Sequence, residues 1–174
     1  MDKIWLFLYY HMARHLPKSH SKWGKITHSK KIRYFCCKHI FKFIGKNVNI
    51  EHGACFGDGK EIEIGDNSGI GVNAYILSNT KIGRDVMMGP NCYMAASTHI
   101  FDRTDIPMRE QGRKKEKTQV TIGDDVWIGR DVTIVGSRDI KNGSIVGARC
   151  LLSKSFPEYS IIGGNPARLI RSRK

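Results

Sequence analysis

From Ile44 onward the chain sets an aliphatic or large apolar residue at every sixth position: Ile44, Ile50 and Phe56, then Ile64, Ile70, Ile76, Ile82, Met88 and Met94. One step, over FGDGKEIE, is eight residues instead of six. After a polar and basic interruption the same beat resumes at Ile122, Ile128, Ile134, Ile140, Val146 and Leu152. Glycine commonly follows the aliphatic, and a small or β-branched residue such as Ser68, Ala74, Val86, Val126 or Val132 stands two positions before the next one. A helix repeats near 3.6 residues and a flat strand near 2, so neither produces a strict six. Six residues fit one short strand and one sharp bend, with the aliphatic pointing inward and glycine supplying close approach or a positive φ at the corner. Three such sides close one turn of a prism, and stacked turns bury a continuous apolar ladder. The expected fold is therefore an all-β repeat, a parallel β-helix of about five coils spanning residues 44–162.

The flanks leave this beat. Residues 1–43 read as one or two helices. DKIWLFLYYHMARHL puts Ile4, Leu8 and Met12 on one face, and SKKIRYFCCKHIFKFI gathers Ile32, Phe35, Cys36, His39, Ile40 and Phe43. Two readings of this segment stand together: an N-terminal helical cap over the open first coil, and a basic amphipathic element making peripheral membrane contact. Residues 101–121 form a loop protruding immediately after His99, and long ordered loops are more often functional than idle. Residues 163–174 form a basic tail, expected to end in a short C-terminal helix.

Composition narrows the partners. With 174 residues and 40% hydrophobic content, one domain with an appendage is the default. A formal charge of +13 suits nucleic acid, anionic membrane or phosphate-bearing small molecules. No nucleic-acid motif or patterned aromatic platform accompanies the charge, so a nucleic-acid partner is not expected. Five cysteines, odd in number and with Cys36 and Cys37 adjacent, suit a reducing compartment better than a disulfide framework. The amino-terminal apolar run is too short to span a bilayer and lacks a signal-peptide cleavage site. The expectation is a cytoplasmic protein, with a place at the inner face of the membrane left open.

The hexads, STH followed by a loop, VTIGDDVWIG, VGARCLLSK and GGNPARLIR together resemble the hexapeptide-repeat O-acetyltransferases of the maltose and galactoside acetyltransferase type. The resemblance is nearest to the branch associated with colanic acid and capsular polysaccharides, and it spans residues 44–171. It implies a left-handed β-helix and a homotrimer with active sites between subunits. It also implies acetyl transfer from acetyl-CoA to a saccharide or glycolipid acceptor. One stretch departs from the family pattern. In VGSRDIKNGSIVGA, Ser137, Arg138 and Lys141 replace small and apolar residues, and a locally distorted coil is expected there.

Acetyl transfer to a hydroxyl needs a base, an oxyanion partner and a seat for the donor. A histidine, with an unperturbed pKa of about 6.5, suits the base, and His99 stands where the chain leaves the repeat. A backbone N–H is expected at the oxyanion, unassigned to any residue. The resemblance implies CoA contacts at Ala148, Ser153, Lys154, Arg168 and Arg171. Arg130 and Arg149 stand where the family has smaller residues, and either add phosphate contacts or narrow the groove. Asn73 is a candidate for an acceptor hydroxyl and equally a turn residue. Trp127 is expected to wall the cleft or to fill a subunit contact. Asp102, with Asp105, is a candidate to orient His99 or the acceptor. No metal is expected, because a ring of histidines is absent: after His52 the repeat offers only His99. Alternatives are acyl transfer to an amino sugar, serine or an antibiotic, or a non-catalytic basic β-helix scaffold.

Overall fold

Each six-residue unit becomes one short strand and one corner, and the units wind into a three-sided prism. The computed structural model describes residues 2–96, 99–113 and 117–174. On the first face Phe43–Ile44, Glu63–Ile64, Lys81–Ile82, Val120–Ile122 and Arg138–Ile140 pair in parallel, in that order. On the second face Asn49–Ile50 pairs with Gly69–Ile70, and Met87–Met88, Trp127–Ile128, Ile145–Val146 and Ser160–Gly163 pair in parallel with one another. The third face runs from Cys55 and Tyr75 through Tyr93–Ala95 to Thr133–Val135 and Leu151–Leu152. Register keeps like above like, as in Ile64, Ile82, Ile122 and Ile140. Both the aliphatic and the residue two before it face inward, so Ser68 with Ile70 and Val126 with Ile128 are buried together. The second inward position is mostly small or β-branched, and Ile62 beside Ile64 is the largest apolar group that occupies it. Ile44 and Met88 are the half-buried exceptions in the ladder.

Corner chemistry resolves the two roles open to glycine. A Cβ on Gly71 would sit 2.0 Å from the Gly89 carbonyl oxygen, so the glycine after the aliphatic permits close stacking of coils. Positive φ falls two residues later, on Asn67, Asn73, Asp85, Asn91, Asp125 and Asp131, at 54° to 58°. Asn and Asp tolerate that left-handed conformation better than other side chains. Their side chains stack as ladders. Asn47, Asn67 and Asp85 are linked at 3.2 and 3.0 Å along the edge between the first and second faces. Asn73, Asn91 and Asp131 are linked at 3.4 and 2.9 Å along the edge between the second and third.

Before the prism come helices α1 (Asp2–His11), α2 (Lys22–Ile26) and α3 (Ser29–Lys38). Helices α1 and α3, with the turn after α1, lie on the first coil and donate to its carbonyls, while α2 packs on α3. Tyr9 bonds Ala54 at 2.9 Å, Tyr10 bonds Gly57 at 2.9 Å, Tyr34 bonds Gly45 at 3.0 Å, and Arg14 bonds Gly53 at 3.3 Å. Arg33, fully buried, donates to Ile50, Leu16, Pro17 and Ser19 and faces Glu51 at 3.6 Å. Burial pushes the Glu51 carboxyl up, but bonds from Ser19, Asn49 and His52 with the Arg33 charge outweigh it, leaving its pKa lowered. The packed face of α1 is Tyr9, continued by Ala13, and the face shared by Ile4, Leu8 and Met12 turns outward. In α3, Cys36 and the following Ile40 are buried while Phe35 and His39 are exposed. Among the described residues, no helix is long and apolar enough to cross a membrane.

Two expectations are corrected. The tail does not end in a helix: Arg168–Ser172 is a strand, antiparallel to Ser160–Gly163. Gly164, at φ 91°, and Pro166 reverse the chain, and the returning strand takes up the edge that no further coil would pair. Arg173 holds it down by bonds to Asp125 at 3.0 Å and Gly143 at 2.6 Å. The coil through VGSRDIKNGSIVGA is regular, with Arg138–Ile140 in parallel register with Val120–Ile122. Its irregularity lies in a side chain: Arg138 takes a half-buried position, and its Nε has no hydrogen-bond partner.

Candidate active site

The edge between the third and first faces is where corners vary in length. Phe56 is followed by a turn with Gly57 and Gly59 at φ 64°, Val135 by Gly136 and Ser137, and Ala95 by the long excursion. His99 stands at the root of that excursion, exposed, and forms an antiparallel bridge with Arg113 that draws the two arms together. Ile100 N–H donates to the Gly112 carbonyl at 3.2 Å. Within the loop, Gln111 donates to the Arg103 and Ile106 carbonyls and accepts from Arg103 N–H. Arg103 also grips Asp105, holding that carboxyl below its ordinary pKa. Asp105 is thereby committed to Arg103 rather than to His99. Asp102 is exposed and makes no hydrogen bond or ion pair among the described residues. Ser97 and Thr98 of the STH signature lie outside the described residues. Along the same edge the Gly136 N–H donates to Ala95, and Ser155 accepts from Asp139 N–H. Ser153 and Lys154 occupy this edge one coil further on, Lys154 lying over the Phe156 ring at 5.3 Å.

The edge between the second and third faces carries the other candidates. Backbone bonds from Asn73 to His52, Asn91 to Val72, Asp131 to Pro90 and Arg149 to Arg130 run up it coil by coil. Asn73 is a turn residue here, φ 54°, with its amide engaged by Asn91. Arg130 pairs with Asp131 at 3.0 Å, and Arg149 approaches the same carboxylate at 3.8 Å. The bond from Asn91 and then the two guanidinium charges hold the Asp131 carboxyl below its ordinary pKa. Ala148 lies beside Arg149, and Gly129 packs against its backbone N at a distance that a Cβ would reduce to 2.5 Å. Arg168 pairs in register with Gly163 and Arg171 with Ile161, extending the second face past its last coil. Both guanidinium groups donate to the carbonyl of an adjacent residue, Arg168 to Ala167 and Arg171 to Ser172, and stay exposed. Arg149 is unusual along this edge in occupying, at φ 59°, a left-handed corner that the coils below give to Gly53, Asn73, Asn91 and Asp131.

Trp127 projects from the second face between Met87 and Ile145, half exposed. The candidates thus divide by edge. His99, Asp102, Ser153 and Lys154 line one; Asn73, Arg130, Ala148, Arg149 and Arg168 line the other, with Arg171 and Trp127 on the adjoining face. Within one chain the third face, with its stacked Tyr75 and Tyr93, separates them. Asp131, which anchors two of the arginines, escaped the sequence reading. Its signal was its place as the third residue after the aliphatic, shared with Asn73 and Asn91. Among the described residues, no group of three or more His, Cys, Asp or Glu is placed to hold a metal ion.

Comparison with known proteins agrees with this architecture. A family model described as bacterial transferase hexapeptide (six repeats) matches residues 61–96. The galactoside O-acetyltransferase of Escherichia coli (strain K12) is 30% identical over 139 residues, covering 77% of this chain and 65% of that protein. A protein of the same strain assigned provisionally as a colanic acid biosynthesis acetyltransferase, WcaF, is 30% identical over 132 residues, covering 75% and 69%. Among solved structures, a hexapeptide-repeat acetyltransferase of Vibrio cholerae O1 biovar eltor complexed with acetyl-CoA superposes with a TM-score of 0.73 at 26% identity, covering 90% of this chain and 92% of that one. The chain spans less than two thirds of the galactoside enzyme's length, and 33% of that of a Mycobacterium tuberculosis relative. These similarities identify the parallel prism as a left-handed β-helix. A six-residue ladder matched by the family model, and an alignment running over most of both this chain and a relative, lead to one conclusion: the chain belongs to the hexapeptide-repeat acetyltransferase family.

Proposed function

We propose that the protein is an acetyl-CoA-dependent O-acetyltransferase acting on a saccharide, a surface or capsular polysaccharide precursor or its glycolipid form, with His99 as general base. The observation that carries the reading is the division of candidates between two edges of the prism. An exposed imidazole lies at one edge and a run of guanidinium groups at the other, so the site is complete only when edges of two protomers meet. A homotrimer with sites between subunits follows from the same reading. The prism is counted as about five coils, with residues 1–43 as its cap, 44–162 as the repeat and 163–174 as the tail.

Chemically, imidazole nitrogen of His99 takes the proton of the acceptor hydroxyl as that oxygen attacks the thioester carbonyl. The tetrahedral oxyanion collapses, the C–S bond breaks, and the imidazolium returns its proton to the CoA sulfur. No step calls for a metal. Arg130, Arg149, Arg168 and Arg171 supply charge for the phosphates of CoA, for which planar guanidinium groups are suited. Ala148, Ser153 and Lys154 line the donor's path. Trp127 walls the acyl end, while Asn73 and Asp102 contact the acceptor. A cytoplasmic location follows from the need for acetyl-CoA.

The test is CoA release in the presence of saccharide acceptors. His99→Ala should lower turnover by about 10² or more while the assembly stays intact. Undiminished turnover would remove His99 as the base, and release only with amine acceptors would redirect the reading to N-acylation.

A further inference from the structure

Helix α1 is apolar on both sides. Its inner side packs Tyr9 on Phe56, with ring centroids 4.6 Å apart, while Ile4 and Phe7 on the outer side are 64% and 60% exposed. A helix apolar all round is ordinarily buried on every side. Nearby, α2 exposes Trp23, at 67%, and Ile26, flanked by Lys22 and Lys25. Phe35 of α3 stands between two apolar grooves of about 440 and 460 Å³, the first running to Leu8 and Met12, the second to Tyr34 and Val48. Lys31 borders both grooves and Lys30 the second. Charge in this region is one-sided. Residues 1–43 hold ten Lys and Arg against one Asp, so nine of the thirteen excess positive charges come from this quarter of the chain.

We infer that the outer surface of α1, α2 and the Phe35 grooves docks the protein on an anionic lipid bilayer, with Ile4, Phe7 and Trp23 entering the headgroup boundary and Lys22, Lys25 and Lys31 meeting lipid phosphates. A second copy of the same face is the poorer occupant, because two such surfaces would bring like charges together. An amphipathic surface combining aromatic and aliphatic groups with lysines binds interfaces through both apolar burial and attraction to anionic lipid. Docked by this end, the prism stands with its first coil nearest the bilayer. His99 leaves the third coil, about two strand spacings beyond the first, which with one helix diameter puts it about 20 Å from the membrane. That distance suits a saccharide carried on a lipid. The reach argument rests on the transferase reading, whereas docking itself does not.

The experiment is co-sedimentation of the full chain with phosphatidylcholine vesicles containing about 30 mol% phosphatidylglycerol, against pure phosphatidylcholine, with no donor or acceptor present. Binding to the anionic vesicles should exceed that to neutral ones by about tenfold or more and weaken with salt. The double variant Phe7→Glu/Trp23→Glu should lose about tenfold or more of the binding at unchanged thermal stability, since both side chains are exposed. Tryptophan emission should shift to the blue on anionic vesicles, and Trp23→Phe should remove the shift. Equal binding to neutral vesicles, no binding to anionic ones, or undiminished binding by the double variant would overturn the inference. So would self-association without vesicles that the double variant abolishes, which would give the face to a second copy.

Discussion

The two edges that bound the third face are made from the same repeat, yet they differ in what they tolerate. Along the second-to-third edge every full coil turns through a corner of one length, and side chains and backbone bond from coil to coil. An extra residue there would break the ladder on both sides. Along the third-to-first edge corners range from Gly136 and Ser137 to the excursion that begins after Ala95, and bonds between coils are scattered. Loop closure costs little more as loops lengthen, so this edge can accept an insertion while the apolar ladder resumes beyond it. The regular edge varies only in side-chain identity and gathers charge. The irregular edge varies in backbone and carries the imidazole.

Breaking the irregular edge at its reactive point should have the largest effect. His99→Ala should cost about 10²–10⁴ in turnover with the KM for acetyl-CoA little changed, read by steady-state CoA release. Next comes the stacking of the regular edge. Gly71→Ala forces a Cβ against the Gly89 carbonyl, where no flexible side chain can give way, and should lower unfolding free energy by about 2–4 kcal/mol in a denaturant titration. Charge on that edge should matter less. Arg149→Asn should raise the KM for acetyl-CoA about tenfold while slightly stabilising the fold, because Asn relieves a left-handed arginine. A kinetic loss with a stability gain would separate a functional arginine from a structural one.

The smallest effects contrast the prism's first coil with the loop. Glu51 has a folded pKa below its ordinary value of 4.5. Its contribution is therefore complete above 4.5 and is lost as pH falls through the lower folded value. Glu51→Gln should flatten that acid limb of the stability curve, monitored by circular dichroism. In the loop, Gly112→Ala meets nothing within 4 Å and suffers only its φ of +84°, so the loss should stay near 1 kcal/mol.

Much of the fold was legible because the period of six admits few solutions. The ladder from Ile64 to Leu152 lies buried as read except at half-buried Met88, and Ile162 extends it. What escaped was local. The RLIRS tail reads as a short basic helix, and only the unpaired edge of Ser160–Gly163 made it a strand. Arg138 in a small-residue position suggested distortion, yet neighbouring coils held the backbone in register and left the mismatch to a side chain. The partition of candidate residues between edges was implicit in the hexad count, since residues after Val146 and those after Leu152 belong to different corners. Asp131 was hidden because an acid among arginines in sequence says nothing about which ones it meets.

By itself the sequence determined that the chain winds as a three-sided prism, where the winding is interrupted, and which histidine stands at the interruption. These follow from periodicity, a property of the chain that survives any local detail. Tertiary structure alone decided that the glycine after the aliphatic serves coil spacing while the third residue after that aliphatic, Asn or Asp in most corners, serves the turn. It also decided that α1 packs through Tyr9 and leaves Ile4 and Phe7 outside, and that Asp131 meets both Arg130 and Arg149. Those outcomes depend on which groups meet across coils, and such meetings are set by stacking distance and hydrogen-bond closure, neither of which is written in the order of residues.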